Sequence, residues 1–579
     1  MDAHAVVALA PMDDDAELAI RLPAPTRCRD RRTSRPVKIP HAVVEAVTAS
    51  QPEPEITPSA RKPVPKLATR HHRVGVVPPY STRATERTRL LEPGVDEAKK
   101  AEPDDQVLGF SKALATDEFQ ALSLLAVQML ASNLIDVLPG FLSGVLTGHL
   151  SDRYSSEYIA ARSLAGIFMM ITGYTVNIAI GAAMDTLCAQ AYGAGKLHEM
   201  GIFFQTGILI FAACFVPVIL TSYYCVDLLE LLGQRHEIAV LVYRLVLFVL
   251  PSLPFSIVNS LLCKILQGQN IIRPMVYAGI VANVVHAVLI YVFMFHTAMG
   301  YAGSSLAASA LVACYTLTLG VYFFRSQLYQ QEWPGWRIRD ALSLVPEFLR
   351  LGFSGLGMFI FEYWGFAAVS LLAGMLPYAA VAISADSTYS GFRVLIGQLY
   401  GSISIAGSVR VGNALGGNDP ERAKTAAVLS VALSVGCAIV TSLIMVFLRD
   451  VYPYAYTQDS EVVGMTSTLM LLTCPFQIFF GISAAVQGIF RGSGLQILGA
   501  RLNFVSFLAL AIPVGLVLAY QLEMGLVGLW FGLCTGAICS AGYCLYWLLF
   551  ADWNEMAADA QKRTRDPSER PTPEAACCC

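Results

Sequence analysis

The chain has 579 residues, of which 55% are hydrophobic and 14% charged, with a formal net charge of −3. This composition is too apolar for a water-soluble globular protein, and the small net charge gives no reason to expect nucleic acid as a partner. The charge is unevenly distributed, because 18 of the 40 Lys and Arg residues and 14 of the 29 prolines lie in the first 112 residues. A polar N-terminal segment is therefore expected before a membrane-embedded body.

The N-terminal segment, residues 1–117, is rich in proline, mixed in charge and poor in aromatic residues. Such a segment cannot bury enough apolar surface to fold, so we predict a disordered tail. It lacks the basic start of a signal peptide. The motif Arg31-Arg32-Thr33-Ser34 is either a site for a basophilic kinase or a basic patch beside anionic lipid.

From about Phe119 to Phe550 the chain is a succession of apolar stretches, each long enough to cross a hydrocarbon layer of ~30 Å. Backbone groups in lipid need internal hydrogen-bond partners, so the stretches are predicted to be helices. Twelve are predicted, near 119–147, 157–182, 200–223, 237–263, 273–295, 301–324, 349–376, 379–408, 424–448, 464–489, 497–519 and 524–550. The predicted fold class is an all-α polytopic membrane protein.

The basic residues of the short loops predict the orientation. Twelve of them fall in one set of loops, namely Lys196, Lys264, Arg273, Arg325, Arg337, Arg339, Arg350, Arg410, Arg422, Lys424, Arg491 and Arg501. The alternate set holds Arg153, Arg235 and Arg449. The first set and both termini are therefore expected in the cytoplasm.

The apolar part of the sequence is duplicated. Four features recur 220 to 225 residues later, namely Gln267-Gly268, Asn283, Pro251 and Met299-Gly300, which return as Gln487-Gly488, Asn503, Pro475 and Met524-Gly525. The repeat predicts two pseudo-symmetric six-helix lobes, residues 118–325 and 346–550, with an inter-lobe linker at 326–345 and a C-terminal tail at 551–579. A duplicated helical bundle usually surrounds a central substrate path, which favours a carrier.

Several motifs in this body resemble those of the multidrug and toxin extrusion (MATE) transporters of the eukaryotic kind. They are Gly148-His149-Leu150, AMDTLCAQAYGAGK at 183–196, FEYWGF at 361–366, SVRVGNALGGND at 408–419 and RGSGLQ at 491–496. The resemblance covers roughly residues 115 to 550. It implies two six-helix lobes around a V-shaped cavity and an antiporter that expels organic solutes against inward H⁺ or Na⁺.

Glycine and proline positions suggest local geometry. Gly193, Gly195, Gly416 and Gly417 fall where helices end, and glycine accepts the left-handed conformation of a helix C-cap. Pro139 and Pro251 fall inside predicted helices and are expected to permit bending.

Charged residues within the apolar spans are few, and a charge at mid-bilayer costs ~3 kcal/mol or more. They are Asp136, Asp185, Arg244, Glu362, Asp386 and Arg393, with Arg162 near the outer end of its helix. Asp185 lies near a helix end, where a structural role is favoured.

Glu362 matches the glutamate that in the MATE family is thought to alternate between a proton and a cationic substrate. Removal from water favours the neutral form of a carboxyl, and exchange of proton for cation would make antiport possible at one residue. The alternative is a structural carboxylate paired to an arginine. Its neighbours Tyr363 and Trp364, with Phe480, are candidates for an aromatic cavity that attracts flat cations, although packed or lipid-facing aromatics are equally common.

The sequence departs from the family pattern at three acidic positions, which are Ala367, Gly391 and Phe480 here. It gains Arg393, seven residues after Asp386 and therefore on the same face of a regular helix. Arg393 either pairs with Glu362 or Asp386, or faces the cavity and favours anionic substrates.

Asp136 is a second candidate proton site, with Asn133 one turn before it. The family's first-helix acid aligns instead with Ser143. The alternative role for Asp136 is to neutralise Arg162 or Arg244.

The predicted function is a proton-coupled exporter of organic solutes, with Na⁺ coupling possible and cationic cargo expected. The alternatives are a lipid or lipid-linked flippase, and an exporter of organic anions that uses Arg393. No cofactor or metal is predicted, because the fourteen cysteines show no zinc-ligand spacing, and motifs of membrane-embedded enzymes are lacking. We expect a monomer in the plasma or vacuolar membrane, with small solutes and the bilayer as partners. The closing triplet Cys577-Cys578-Cys579 leaves lipidation open.

Overall fold

The computed structural model describes residues 106–107, 110–148 and 155–564. Within this part of the chain, eleven helices are long and apolar enough to cross a bilayer, and a bent pair forms a twelfth span. Numbered in chain order, spans 1 to 6 are Lys112–Thr147, Glu157–Gly193, Leu197–Tyr223, His236–Val249 with Ser252–Gly268, Arg273–Phe295 and Gly300–Arg325. Spans 7 to 12 are Ile338–Ala373, Ala379–Gly416, Pro420–Leu448, Ser460–Ser493, Gln496–Gln521 and Gly525–Phe550. The predicted all-α polytopic fold with twelve spans is confirmed.

Several short elements of the described chain lie outside the spans, among them the 3-10 helix Tyr452–Ala455 between spans 9 and 10. An antiparallel pair, Gln106–Val107 with Phe110–Ser111, precedes span 1. The helices Cys225–Leu231, Leu328–Glu332 and Trp553–Arg563 follow spans 3, 6 and 12. The greater part of the predicted disordered tail, its Arg31–Ser34 motif and the cysteines 577–579 lie outside the described residues.

Several spans extend further than hydropathy predicts, and they do so at one end of the bundle. This basic end is where span 1 begins and where spans 2, 4, 6, 8, 10 and 12 finish. Span 1 begins seven residues before the predicted Phe119, and span 7 begins at Ile338 inside the predicted linker. Hydropathy identifies the part of a helix that lies in the hydrocarbon core of the bilayer. These helices continue beyond that core with polar residues, so their ends are not predicted by hydropathy.

Irregular helix geometry interrupts several spans. Span 4 bends by 51° between its two helices, at the position of Pro251, as expected from the missing backbone donor. Pro139, in contrast, lies within a continuous helix. Span 2 contains a π-helical turn at Met170–Tyr174, and span 11 contains two, at Phe504–Ala511 and Val517–Gln521, which the sequence did not predict.

The two lobes cross in close backbone contact at the basic end. A β-carbon on Gly193 of span 2 would overlap the carbonyl oxygen of Asn413, and one on Gly416 of span 8 would overlap the carbonyl oxygen of Gln190. Of the four glycines expected to cap helices in the left-handed conformation, Gly195 alone has it, at φ 72°. The prediction was therefore wrong for Gly193, Gly416 and Gly417. At Gly193 and Gly416 a residue without a side chain is required because the two helices are in backbone contact there.

Buried ion pairs join the lobes around this crossing. The Glu118 carboxylate, 1% exposed, accepts from Arg410 Nη2 at 2.6 Å and Nε at 3.1 Å, and it also pairs with Arg422. Asp185 pairs with Lys264 of its own lobe at 2.6 Å and with Arg491 of the other lobe at 3.7 Å. We call this region the seal, formed by residues 118–133, 179–193, 402–416 and 491–496.

The seal closes one side of the bundle only. Beyond it, spans 7 and 8 bond within their own lobe, as in Asn503 Nδ2 to the Met358 carbonyl at 2.9 Å and Tyr389 to Thr473 at 2.6 Å. Span 1 likewise turns to its own lobe, where Arg162 Nη2 donates to the Gly140 carbonyl at 2.9 Å. The described contacts therefore hold the lobes together at the basic end.

The substitution Gly416→Ala is expected to weaken the seal, because its methyl group would overlap a backbone oxygen that cannot rotate away. Overpacking of this kind costs about 1–3 kcal/mol. Gly397→Ala in the same helix is the control, since nothing lies within 4 Å of that position. Thermal unfolding in detergent should show a lowered midpoint for Gly416→Ala alone; equal midpoints would contradict the close crossing.

Glu118→Gln should destabilise the closed arrangement more strongly, because it leaves two arginines without their carboxylate. Removing one partner of a buried pair costs about 3–5 kcal/mol. Glu421→Gln, at an exposed position in the first turn of span 9, provides a control that removes the same charge. If both variants unfold at the wild-type temperature, the Glu118 cluster does not hold the lobes together.

Candidate functional site

The candidate charges lie just beyond the seal. Asn133 Nδ2 of span 1 donates to Ser402 Oγ of span 8 at 3.0 Å, which marks the edge of the region where the lobes touch. Asp136 is one turn past Asn133. Glu362 is two turns past Gly355, where span 7 touches span 2, a distance of ~10 Å along the helix. Arg393 is nine residues from Ser402 on the same side of the seal.

The Glu362 carboxylate is half-buried within the C-terminal lobe. Gln487 of span 10 lies beside it, and Arg393 and Arg491 are the cations that act on it electrostatically. The Gln487 oxygen accepts from Asn503 Nδ2 at 3.1 Å, so its amide nitrogen is left to donate to Glu362. Gln487 and Asn503, which the sequence showed as members of the duplicated pattern, thus form a bonded pair near the candidate carboxylate.

Arg393 forms no ion pair with an acidic group of the described chain. Its guanidinium carbon lies 3.7 Å from the centroid of the Phe366 ring, an attractive cation–π contact. Glu362 and Asp386 act on it through space without direct pairing. Its Nε atom is buried without a hydrogen-bond partner, so a donor remains available in the C-terminal lobe.

Asp386 is buried, with 2% of its surface exposed. Ser370 Oγ donates to one of its oxygens at 2.5 Å, and Trp530 Nε1 donates to the other at 2.9 Å. These bonds tie spans 7, 8 and 12 together, which is an effective structural use of a buried carboxylate.

Asp136 has an exposed side chain, and the titratable groups beside it are Tyr315 and Cys263 of its own lobe. Within the described residues neither arginine considered as a partner forms an ion pair with Asp136, since Arg162 donates to the Gly140 carbonyl and Arg244 lies beside Tyr301. Asp136 is therefore not neutralised by either of them, and its carboxylate remains available for a proton.

The expected aromatic cavity is divided between two faces of span 7. Tyr363 and Trp364 are 49% and 54% exposed and contact Phe359 and Phe361 of their own helix. Phe480 packs instead against Phe366, with ring centroids 6.1 Å apart. Phe366 was not predicted as a site residue. It lies one turn after Glu362, and this spacing in the sequence already places both residues on the same face of the helix.

At Gly391, one of the three positions where the family pattern has an acid, aromatic side chains occupy the neighbouring space. A β-carbon on Gly391 would lie 3.2 Å from the Tyr452 hydroxyl and 3.4 Å from the Tyr456 hydroxyl. Those hydroxyls bond each other at 3.1 Å. The two rings thus leave little room for a larger side chain at position 391.

Arg491 is placed differently from the prediction, which counted it in a loop. It lies in the last turn of the helix Gln477–Ser493 and donates to Ser404 Oγ at 2.9 Å, besides pairing with Asp185. It therefore belongs to the seal and also acts on Glu362. Among residues 112–147 and 157–564, no group of three or more His, Cys, Asp and Glu side chains is arranged to hold a metal ion.

Comparisons with known proteins agree with this architecture. The MatE family model matches residues 129–292 and 356–517, one segment in each lobe. Multidrug and toxin extrusion protein 1 of Xenopus tropicalis is 30% identical over 454 residues, covering 78% of each chain, and that of Mus musculus is 29% identical over 445 residues, covering 77% of each. The crystal structure of the eukaryotic MATE transporter AtDTX14 superposes with a TM-score of 0.71 at 27% identity, covering 78% of this chain and 100% of that one. The chain therefore belongs to the MATE family of multi-pass efflux transporters and is not an enzyme.

Proposed function

We propose that this transporter exports organic solutes in exchange for protons, with Glu362 as the exchange site. The observation that carries the proposal is the setting of this carboxylate, which lies beyond the seal and beside the neutral amide of Gln487. Within the described residues it takes part in no direct ion pair. A carboxylate held by a permanent ion pair would resist protonation, whereas this one can gain and lose its proton.

The chemistry of exchange follows from the surroundings of Glu362. In general an apolar surrounding favours the neutral form of a carboxyl and a nearby guanidinium favours the ionised form. Glu362 lies in a membrane-spanning helix with Arg393 and Arg491 among its charged neighbours. Opposing influences of this kind allow modest changes of environment to shift the proton equilibrium. Binding of a cationic solute would favour ionisation, and protonation would release that solute.

Protons suit this site better than Na⁺. A hard cation requires several oxygen ligands. Here Gln487 offers its amide nitrogen, and the two nearby guanidinium groups repel a metal cation. Asp136 in the other lobe is proposed as a second proton site, since neither nearby arginine pairs with it.

A second candidate cargo class is organic anions. Arg393 stacks on Phe366 and keeps a buried Nε without a partner, so it offers both a positive charge and a donor to a flat anionic solute. The absence of acids at positions 391 and 480 removes the negative charge that would repel such cargo.

We further propose that the basic end of the bundle faces the cytoplasm, in the plasma or vacuolar membrane, and that the protein acts as a monomer. The excess of basic residues in the loops of that end supports the orientation. The sealed side would then be cytoplasmic, and the site would open to the side that receives the exported solute.

The proton-exchange role predicts that Glu362→Gln abolishes pH-driven transport. The measurement is uptake of a fluorescent organic cation into proteoliposomes under an imposed pH gradient, with Asp136→Asn tested in parallel. Glu461→Gln, an exposed acid in the first turn of span 10, is the control and should transport as wild type does.

Substrate-for-substrate exchange without a pH gradient shows whether each variant retains a working path. Glu362→Gln should retain such exchange for a neutral solute while losing the pH-driven component. Unchanged pH-driven uptake in Glu362→Gln would transfer the role to Asp136. Unchanged uptake in both variants, or dependence on Na⁺ alone, would contradict proton coupling.

The charge of the cargo can be tested at Arg393. Arg393→Gln removes a positive charge from the C-terminal lobe. Coulomb's law gives a factor on the order of ten for a unit charge at about 10 Å and an effective dielectric constant near 20, gained by a cation and lost by an anion, so the ratio of cation to anion transport should rise on the order of a hundredfold. Arg393→Lys retains the charge and should keep the wild-type ratio. An equal ratio in all three proteins would remove Arg393 from substrate selection.

A further inference from the structure

The segment after span 12 forms a helix, Trp553–Arg563, which we call the C-terminal helix. Its start is fixed by Asp552, whose side chain accepts from the backbone N–H groups of Asn554 and Glu555. Its apolar face, made of Trp553, Met556, Ala557 and Ala560, is buried in a core cluster of the C-terminal lobe. The helix is therefore an integral part of that lobe.

Polar side chains at the end of this helix bond the exposed carbonyls of two spans. Gln561 Nε2 donates to the Gly416 carbonyl at the end of span 8 at 2.6 Å. Arg563 Nη1 donates to the Ser493 carbonyl at the end of span 10 at 3.0 Å. A positive charge at the C-terminus of a helix is also stabilised by the helix dipole. Its Nε lies 3.9 Å from the Glu347 carboxylate of span 7.

The same helix end also reaches the N-terminal lobe. Lys196, in the loop after span 2, donates from Nζ to the Thr564 carbonyl at 2.6 Å, at the C-terminus of the helix. Arg563 Nη1 also contacts Gln190 Oε1 of span 2 at 3.4 Å. Gln190 itself donates from Nε2 to the Gly492 carbonyl across the lobes at 3.0 Å.

These contacts differ in kind between the two lobes. The attachment to the C-terminal lobe combines a buried apolar face with several hydrogen bonds, whereas the described residues attach the helix to the N-terminal lobe through the polar contacts of Lys196 and Gln190. An efflux transporter exposes its site alternately on two sides, which requires the lobes to separate at the seal. During that movement the C-terminal helix would stay with its own lobe and lose Lys196 and Gln190.

We propose that the C-terminal helix is a latch that moves with the C-terminal lobe and stabilises the closed seal through Lys196 and Gln190. The proposal concerns the opening of the seal and does not depend on which ion drives transport. The Lys196–Thr564 hydrogen bond exists in the closed form. If it is lost when the lobes separate, it shifts the equilibrium between the closed and the open seal toward the closed form.

The test compares hydrogen–deuterium exchange of full-length variants in lipid nanodiscs, followed in the seal segments 182–193 and 404–416. Lys196→Gln should increase the opening of these segments about tenfold, the equivalent of one hydrogen bond from a charged donor. Lys196→Arg keeps a cationic donor and should exchange as wild type does. Lys562→Gln removes the neighbouring charge, which is exposed and pairs with Asp559 of its own helix, and should also leave exchange unchanged.

Arg563→Gln provides a second variant and should raise exchange in the same two segments. Span 12, residues 525–550, is the internal reference, because the proposal predicts no change in hydrogen–deuterium exchange there. Wild-type exchange at the seal in both Lys196→Gln and Arg563→Gln would overturn the proposal. A uniform increase that includes span 12 would also overturn it, since that pattern indicates general destabilisation.

Discussion

The backbone contact between spans 2 and 8 is the constraint on which the remaining structure depends. Gly193 and Gly416 permit the carbonyl of one helix to occupy the place of a side chain on the other. At that separation Glu118 reaches two arginines of the opposite lobe, and Asp185 reaches Arg491. Burying these charges is acceptable because each acid gains two cationic partners. The ion pairs therefore follow from the helix crossing, and together they set where the lobes touch and where they part.

Among the described residues, the charged ones beyond the seal do not join the two lobes, so their roles depend on their contacts within one lobe. Asp386 is satisfied by Ser370 and Trp530 and acts as a connector of helices. Glu362 lies beside one amide and is influenced by two cations at a distance, so no ion pair within the described part of the chain fixes its charge. The two acids differ in burial, since Asp386 is buried and Glu362 is half-buried, and they differ in how many hydrogen-bond donors each one already has.

Much of the fold could be predicted from the sequence, because apolar length and the duplicated markers report directly on spans and lobes. The ends of the spans could not, since helices such as Ile338–Ala373 continue past the hydrocarbon with polar residues. The roles of Gly193 and Gly416 were misassigned because a glycine at a helix end and a glycine at a helix crossing look the same in sequence. Glu362 and Arg393 were proposed as candidates from the rarity of charge in apolar surroundings, and Glu362 also from its match to the family glutamate. Gln487 and Arg491 were missed as site neighbours because their proximity to Glu362 arises from the packing of spans 7 and 10.

The way in which Asp386 is bonded bears on the energetics of export. With that acid engaged, a cycle in which only Glu362 exchanges its proton carries one H⁺ inward. Exchange against a monovalent cation then moves no net charge, so membrane voltage neither assists nor opposes it. For an uncharged solute, one proton supports a concentration ratio of about tenfold for each pH unit across the membrane. That exchange already moves one positive charge, so membrane voltage adds to it. Participation of Asp136 would raise the ratio supported by the pH difference to about a hundredfold for each pH unit and would make the exchange against a monovalent cation sensitive to voltage as well.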